Sequence, residues 1–400
     1  MIIIHIVNNR ATYLPRSLSG RLSKALHSSP VVIITGARQT GKSTLVQHLD
    51  EKATRSYDTL DEIDTLELAG SNPDALVNRV GKMTFDEVQR SPSLLLAVKR
   101  AVDKHRVAGR FILTGSANLL LMKRVSESLA GRAVYFSLLP FTRREVLGLG
   151  SVGIWQDFFR LSPRKWEDRI KAETVPSENW EVCALRGGYP VPALQMTSND
   201  ERSLWFTGYT QTYLERDLQD LAGVSSLVDF RRLMRAICLR LGNIVNQTEL
   251  ARDIGLSQPT VHRHLDALEV SHQLVRLTAY SINRTKRLIK SPKAYWTATA
   301  LALHLAGEKQ PKGCHLENMI LCDLLAWKGS GEGQELFYWR TTTGEEVDFV
   351  IEWNGKLLAV EVKATNKPRL ADARHLLTFR EQYKKNSIPS LLIHTGNEVR

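Results

Sequence analysis

The residues best placed to do chemistry begin at Gly36. Gly36-Ala37-Arg38-Gln39-Thr40-Gly41-Lys42-Ser43 fits the spacing G-x-x-x-x-G-K-[ST], directly after the β-branched run Val31 to Thr35 and directly before the helix-like Thr44-Leu45-Val46-Gln47-His48-Leu49. Strand, loop and helix in that order make a phosphate cradle. The glycines let the backbone curl so that its N–H groups and the helix N-terminus face phosphate oxygens. Lys42 then meets the β and γ phosphates of ATP, Ser43 ligates Mg²⁺, and Gly36 to Thr44 form the expected ATP-binding set.

A second strand closes on Met83-Thr84-Phe85-Asp86-Glu87. Asp86 is suited to hold the magnesium shell, and Glu87 to orient and deprotonate the attacking water. A water-polarising Glu favours an ATPase over a nucleoside kinase. The next strand runs into Thr114-Gly115-Ser116, at the carboxyl end of the sheet where ligands of open α/β sheets bind. Ser116 reads equally as a contact to the γ phosphate or the water, or as the cap of the apolar run Ala117 to Met122. Arg132, in Ser128-Leu129-Ala130-Gly131-Arg132, is a candidate arginine finger for a neighbouring subunit's nucleotide, with Arg124, Arg143 and Arg144 as competitors.

Two further constellations lie downstream. Gln247 to Ile254 reads as one helix, Gly255-Leu256-Ser257 as a turn, and Gln258 to Glu269 as a second helix capped by Ser257. Val261, Leu265 and Leu268 share its apolar face, so Gln258, Thr260, His262, Arg263 and His264 are expected to point outward toward a DNA groove. A basic hairpin with Arg284, Lys286, Arg287, Lys290 and Lys293 follows, suited to phosphate contacts. In the tail, Asn354-Gly355 separates Glu346 to Trp353 from Lys356 to Ala364, the mark of a two-residue hairpin turn. With Trp353 opposite Lys356, Asp348 falls opposite Glu361 and Glu346 opposite Lys363. Val347, Phe349, Ile351, Leu358, Val360 and Val362 then form the core-facing side. Opposed carboxylates destabilise a sheet unless a cation or proton intervenes.

The elements that must position these residues follow from pattern. From Val31 to Leu139 the apolar runs Val31 to Thr35, Lys82 to Phe85, Arg110 to Leu113 and Ala133 to Leu138 alternate with helical patterns, which implies an α/β fold with a parallel sheet covered by helices. A chain of 400 residues is too long for one compact core. Hydrophobic residues make up 43% and charged residues 24%, which excludes wholesale disorder and fibrous repeats. Lys plus Arg number 54 against 42 for Asp plus Glu, a net charge of +12 that favours polyanionic partners, DNA ahead of a membrane surface. No apolar run approaches the roughly 18 residues that span a bilayer, and Met1 to Val7 lacks a basic leader, so a cytoplasmic protein without a membrane partner is expected. Cys183, Cys238, Cys314 and Cys322 show no Cys-x-x-Cys spacing and are expected to be buried thiols.

Strand, Gly-Ala-Arg-Gln-Thr-Gly-Lys-Ser, then Phe-Asp-Glu-Val-Gln-Arg, Leu-Thr-Gly-Ser and Leu-Ala-Gly-Arg resemble the AAA-type prokaryotic P-loop ATPases with a C-terminal domain of unknown function. The similarity continues through Gly187-Gly188-Tyr189-Pro190 and Tyr213-Leu214-Glu215-Arg216-Asp217 to the Glu-Val-Asp-Phe and Glu-Val-Lys of the tail. Pattern along the chain divides it at 1–25, 26–150, 151–238, 239–307 and 308–400, and the resemblance implies that, after an N-terminal segment, these are an AAA-type ATPase domain, a helical connector, a winged-helix domain and a nuclease-like domain. It also implies a homo-oligomer. The hairpin is similar to the PD-(D/E)xK nuclease core, in which Asp348 and Glu361 would chelate Mg²⁺, Lys363 would position water and Glu317 would complete the shell. The Pro-Asp opening of that pattern is absent, since Val347 precedes Asp348. Relatives also tend to carry Asp and Gly where this chain has Ala298 and Ala300. The expected function is Mg²⁺-dependent ATP hydrolysis coupled to DNA binding and, where the carboxylates hold metal, DNA cleavage. The alternative is a nucleotide-gated protein-interaction switch with inert carboxylates.

Overall fold

The computed structural model describes residues 13–49, 55–116, 129–214 and 226–399. A five-stranded sheet has the order β2-β3-β4-β1-β5. Its strands are β1 (Val31–Thr35), β2 (Arg55–Thr59), β3 (Lys82–Asp86), β4 (Phe111–Thr114) and β5 (Ala133–Ser137). Every neighbouring pair is parallel. The chain is thus α/β with a P-loop NTPase sheet, and β1 spans the residues that sequence pattern assigned to it. Sequence pattern missed β2 because Arg-Ser-Tyr-Asp-Thr carries no apolar run. As an edge strand it needs only one partner, β3, and no second buried face.

Helix α1 (Ser19–Ser28) packs by Leu22 and Ala25 against the sheet, α2 (Lys42–Gln47) follows β1, and α3 (Pro92–Lys104) buries Leu94, Leu95, Val98 and Val102 against it. Apolar spacing of three and four residues along α3 makes that stripe. The loop from β1 to α2 opens at the carboxyl ends of the strands.

Beyond the sheet, one apolar core runs from Tyr189 through Phe230, Leu250 and Leu265 to Ala306, across the boundary expected at 238. It joins α4 (Leu227–Cys238), α5 (Gln247–Ile254) and α6 (Gln258–Val270) to strands β6 (Leu274–Leu277) and β7 (Lys293–Trp296) and to α7 (Thr299–Ala306). Phe158, Phe159 and Trp166 from the expected connector pack instead with Trp327, Trp353 and Leu358. The connector is therefore divided between its neighbours.

The last unit is a mixed sheet of order β11-β10-β9-β8, built from β8 (Glu335–Arg340), β9 (Glu346–Trp353), β10 (Lys356–Lys363) and β11 (Leu391–His394), with α8 (Gly313–Ser330) against it. Asn354 adopts φ +50°, as the expected hairpin turn requires, and Lys356 pairs with Trp353. The register holds as expected as far as Val360 opposite Phe349. On the other side of β9 the pairing with β8 shifts from Phe337 opposite Val350 to Trp339 opposite Val347, the signature of a β-bulge beside Asp348. Val347 is consequently turned away from Phe349 and Ile351, into the core formed with Val350, Leu357 and Phe379.

Two other expectations are corrected. The basic hairpin is a two-stranded sheet, β6 against β7, whose connection contains the short helix Arg284–Ile289. His264 faces inward, 2% exposed, with its ring edge-on to Phe230 at 5.1 Å. It lies three residues after Val261 and so joins the same buried stripe.

The departure from the family pattern at Ala298 has a structural meaning. Ala298 is the N-cap of α7 and offers no side-chain acceptor to the first turn. A short acidic side chain there would accept from those buried N–H groups. Ala298→Asp is expected to raise the unfolding midpoint of this unit in urea, by about 1 kcal/mol of added stability. A lowered midpoint would remove capping as the reason for that residue in relatives.

Candidate functional site

The phosphate loop is built by a division of labour between donors and acceptors. For its N–H groups to face an anion, its carbonyls must turn outward, where each needs a donor. Lys42 Nζ bonds the carbonyls of Gly36 at 3.2 Å and Ala37 at 2.9 Å, and Thr40 Oγ1 bonds Ala37 O at 2.9 Å. Tyr209 OH reaches Arg38 O at 3.4 Å, and Arg16 Nη1 reaches Thr40 O at 2.9 Å. Arg16 is in turn held by the buried carboxylate of Glu145 at 3.2 Å. Gly36 is required because a Cβ there would stand 2.4 Å from Leu138 O, and Gln39 takes φ +60°. Ser43 is half-buried and Thr44 exposed, both at the start of α2. Gly187-Gly188-Tyr189-Pro190 closes the far side. A Cβ on Gly188 would lie 2.1 Å from Phe141 O, and Pro190 lies against Gly41.

Asp86 is buried at the end of β3 and accepts from Thr114 Oγ1 and, at 2.5 Å, from Tyr57 OH. The Tyr57 phenol is pushed well above its ordinary value by burial and by Asp86, so it stays a donor, and it also meets Ser43 and Gln47. Ser43 and Asp86 therefore converge on one hydroxyl. Hydroxyl and carboxylate oxygens are the donor set that Mg²⁺ takes when most of its shell is water and phosphate, so these residues fit the ion. Glu87 has φ +56°, and its carboxyl is raised by burial and by Asp86 against the lowering effects of Gln89, Lys42 and Arg38. A raised carboxyl is a better proton acceptor at neutral pH. Gln89 Nε2 bonds the Glu87 carboxylate and, at 3.0 Å, the hydroxyl of buried Ser116. Ser116 is thereby tied to Glu87. The helix expected over Ala117 to Met122, Ser128 and the competing Arg124 lie outside the described residues.

Arg132 sits at the amino edge of the sheet, just before β5, paired with Asp103 of α3 at 2.5 Å. Its own chain's phosphate loop is at the opposite edge. Arg143 and Arg144 are engaged internally, with Glu178 at 3.5 Å and Glu173 at 2.6 Å.

On the helix-turn-helix surface Gln258, His262 and Arg263 are exposed and Thr260 is half-buried, its N–H bonded to the Ser257 cap. Gln258, His262 and Lys290 line a groove of about 840 Å³ together with Asn246 and Gln247. Arg276, which also lines it, is held by Asp266 and Glu269. Arg284 is exposed. The side chain of Lys286 lies outside the described residues. Arg287 turns inward, over the rings of Tyr280 and Phe337 at 4.6 Å each, and pairs with Glu352 at 2.8 Å.

Lys293, expected on the basic wing, is 1% exposed and seated among carboxylates. Its Nζ lies 2.6 Å from Glu346, 3.2 Å from Glu317 and 3.4 Å from Asp348. Burial alone would pull this ammonium down, but the three carboxylates outweigh it and hold it above its ordinary value. Burial and Asp348 raise the carboxyls of both Glu317 and Glu361. Asp348 also accepts from Val362 N at 2.9 Å, and Lys363 pairs with Glu361 at 2.6 Å in place of the expected Glu346. Among the described residues no group of three or more His, Cys, Asp or Glu is arranged to hold a metal ion. Glu317, Asp348 and Glu361 are brought together as expected. Lys293 is the cation against Glu317 and Asp348, and Lys363 the one against Glu361.

Sequence reasoning missed Tyr57, Thr114, Gln89 and Arg16. Only Thr114 and Gln89 left a signal, as polar residues flanking Ser116 and Glu87. The cysteines are free, with Cys183 and Cys238 buried and Cys314 and Cys322 half-buried. Among the described residues no helix is long and apolar enough to cross a membrane.

Residues 28–147 match the family model described as AAA domain, 177–312 match Domain of unknown function (DUF8612), and 312–400 match Domain of unknown function (DUF4143). Uncharacterized protein Rv2008c of Mycobacterium tuberculosis (strain ATCC 25618 / H37Rv) is 32% identical over 365 residues, covering 89% of this chain and 75% of that protein. Uncharacterized protein MJ1544 of Methanocaldococcus jannaschii is 24% identical over 301 residues, covering 73% and 64%. Among solved structures, the Walker-type ATPase PABY2304 of Pyrococcus abyssi aligns over 74% of this chain and 99% of that one, at 18% identity and a TM-score of 0.41.

The carboxylate cluster carries a pH-dependent expectation. Removing a buried cation leaves its partners uncompensated, at roughly 3 to 5 kcal/mol. Lys293→Met should therefore lower the unfolding midpoint by about that equivalent near pH 8. Carboxyls raised in the folded state take up protons there as pH falls, so the loss shrinks toward about pH 5. A loss independent of pH, measured in parallel urea titrations, would contradict this account of the cluster.

Proposed function

Because this chain belongs to the family of the mycobacterial protein Rv2008c, and its residues 28–147 are an AAA-type P-loop ATPase domain, we propose a Mg²⁺-dependent ATP-hydrolysing switch whose nucleotide state sets the grip of its helix-turn-helix segment on DNA. The observation that carries this reading is the convergence of Lys42, Ser43, Asp86 and Glu87 at the carboxyl edge of the parallel sheet. The N–H groups of residues 36–41 bind the phosphates, and Lys42 turns from the loop carbonyls to the β and γ oxygens. Bound through Ser43 and Asp86, Mg²⁺ would supply charge neutralisation to those oxygens. Glu87 orients the attacking water and takes its proton, while Gln89 and Ser116 hold the carboxylate in place.

Segment 239–307 is proposed to act as a winged helix, with Gln258, Thr260, His262 and Arg263 toward DNA and Arg284 and Lys286 beside them. Arg132, at the edge of the sheet away from its own loop, suits a role at a neighbouring chain's nucleotide in a homo-oligomer. A second reading, the protein-interaction switch, is favoured by one observation. Arg287 and Lys293 are spent on internal carboxylates, which leaves the wing less basic than its composition. We propose that the nuclease-like tail is inert in this state, since an ammonium holds the place a metal would need between Glu317 and Asp348. Mg²⁺-dependent nicking that vanished in both Asp348→Asn and Lys363→Ala would restore cleavage.

Lys42→Ala is expected to abolish binding of a fluorescent ATP analogue. Glu87→Gln should keep binding and lower steady-state hydrolysis by roughly 100-fold to 10,000-fold. Hydrolysis at the wild-type rate in either variant would displace the site. Stimulation of wild-type hydrolysis by duplex or single-stranded DNA separates the two readings. A DNA affinity that falls steeply with salt, with a shallower slope by about one per lost contact in Arg263→Gln and Arg284→Gln, supports the first. Indifference to DNA moves the function to a protein partner.

A further inference from the structure

Helix α6, whose first residues face the groove, ends at the phosphate loop. Its C-terminus closes with His272 N–H bonded to Glu269 O at 3.0 Å and Gln273 N–H bonded to Leu268 O at 2.9 Å, the paired bonds of a Schellman turn. That turn places one residue in the left-handed region, where glycine is favoured. The chain follows the rule at two nearby helix ends, Gly255 after α5 at φ +71° and Gly307 after α7 at φ +74°. After α6 it carries His272, at φ +57°. A residue with a Cβ is strained in that conformation, and contacts of its side chain can offset the strain.

What it meets is the nucleotide site. His272 Nε2 lies 3.2 Å from Thr35 Oγ1, the residue immediately before Gly36. Thr35 Oγ1 also lies 3.4 Å from Phe136 O, so its hydroxyl has the ring and that carbonyl as its two partners. Burial and the charge of Lys42 pull the imidazole's pKa down to about 4, which keeps it neutral. The next residue makes a second contact: Gln273 Nε2 bonds Tyr209 OH at 3.2 Å, and Tyr209 bonds Arg38 O. Behind the turn, Thr297 Oγ1 holds His272 O at 2.7 Å.

We propose that His272 is a positioning residue for the nucleotide site, tying the start of the phosphate loop to the end of α6 so that occupancy of the loop and the setting of the helix-turn-helix form one linked equilibrium. The proposal rests on the reading of residues 36–44 as the ATP site. Lys42 must leave the carbonyls of Gly36 and Ala37 to meet phosphate, and these residues adjoin the one that His272 grips. Any ligand that alters the loop alters the end of α6, and by reciprocity a partner bound to α6 alters nucleotide affinity.

The test uses the full chain, the nonhydrolysable analogue AMPPNP and amide hydrogen exchange of the peptides covering α6. His272→Gly suits it because glycine is the residue this backbone position favours, and His272→Asn, which also tolerates the conformation, repeats it. Expected is a change of about fivefold or more in exchange along α6 when the wild type binds AMPPNP. At AMPPNP concentrations that saturate each variant, both should lose most of that response. An undiminished response in both variants would overturn the role of His272 while leaving the ATP site intact. Failure of the wild type to bind AMPPNP would sink the ATP site and this proposal together.

Discussion

The structure depends on keeping six residues of backbone turned inside out. From Gly36 to Gly41 the N–H groups must converge on an anion, which forces the carbonyls outward into protein where water cannot serve them all. Their donors come from widely separated stretches of chain: Arg16 ahead of the sheet, Thr40 and Lys42 within the loop, and Tyr209 from beyond it. Two of these donors are themselves fixed, Arg16 by Glu145 and Tyr209 by Gln273 and Tyr189. The loop is thus a node where the ATPase domain and the following helical unit are bonded together.

That dependence gives the glycine pair at 187 and 188 its place. The chain returns to the loop through a gap so narrow that a Cβ on Gly188 would overlap Phe141 O, and Pro190 then lies against Gly41. Tyr189 follows into the core that also holds α4, α5 and α6. A rigid packed unit so attached moves as a body if the loop moves, since close-packed interiors shift between discrete arrangements more readily than they deform.

Electrostatics shapes the other half of the chain. Three carboxylates on α8 and β9 would repel one another in a buried setting, and Lys293 on β7 is threaded among them. Tyr295, two residues along the same strand, donates to Glu317, and Asn318 of α8 bonds both backbone groups of Trp296 at 2.8 and 2.9 Å. These bonds staple the helix-turn-helix unit to the last sheet. The positive charge that composition assigns to the surface is therefore partly internal, which changes what the surface can bind.

The phosphate loop, the carboxylate pair Asp86 and Glu87 at the end of β3, the parallel strands β1, β3, β4 and β5 and the Asn354 turn were legible in the sequence because each is decided by neighbours within about ten residues: spacing, periodicity and turn chemistry. Strand β2 was not, because an edge strand takes its identity from the partner it pairs with. The β-bulge at Asp348 needed β8 alongside before the hairpin's alternation could break. Lys293 and Arg287 read as a basic wing because charge in a sequence carries no address. Only the fold sets Glu317, Glu346, Asp348 and Glu352 around them. His272 is the same case in the nucleotide site. Local pattern determined that α6 ends there, and only the tertiary structure set the side chain at that end against Thr35, 237 residues earlier.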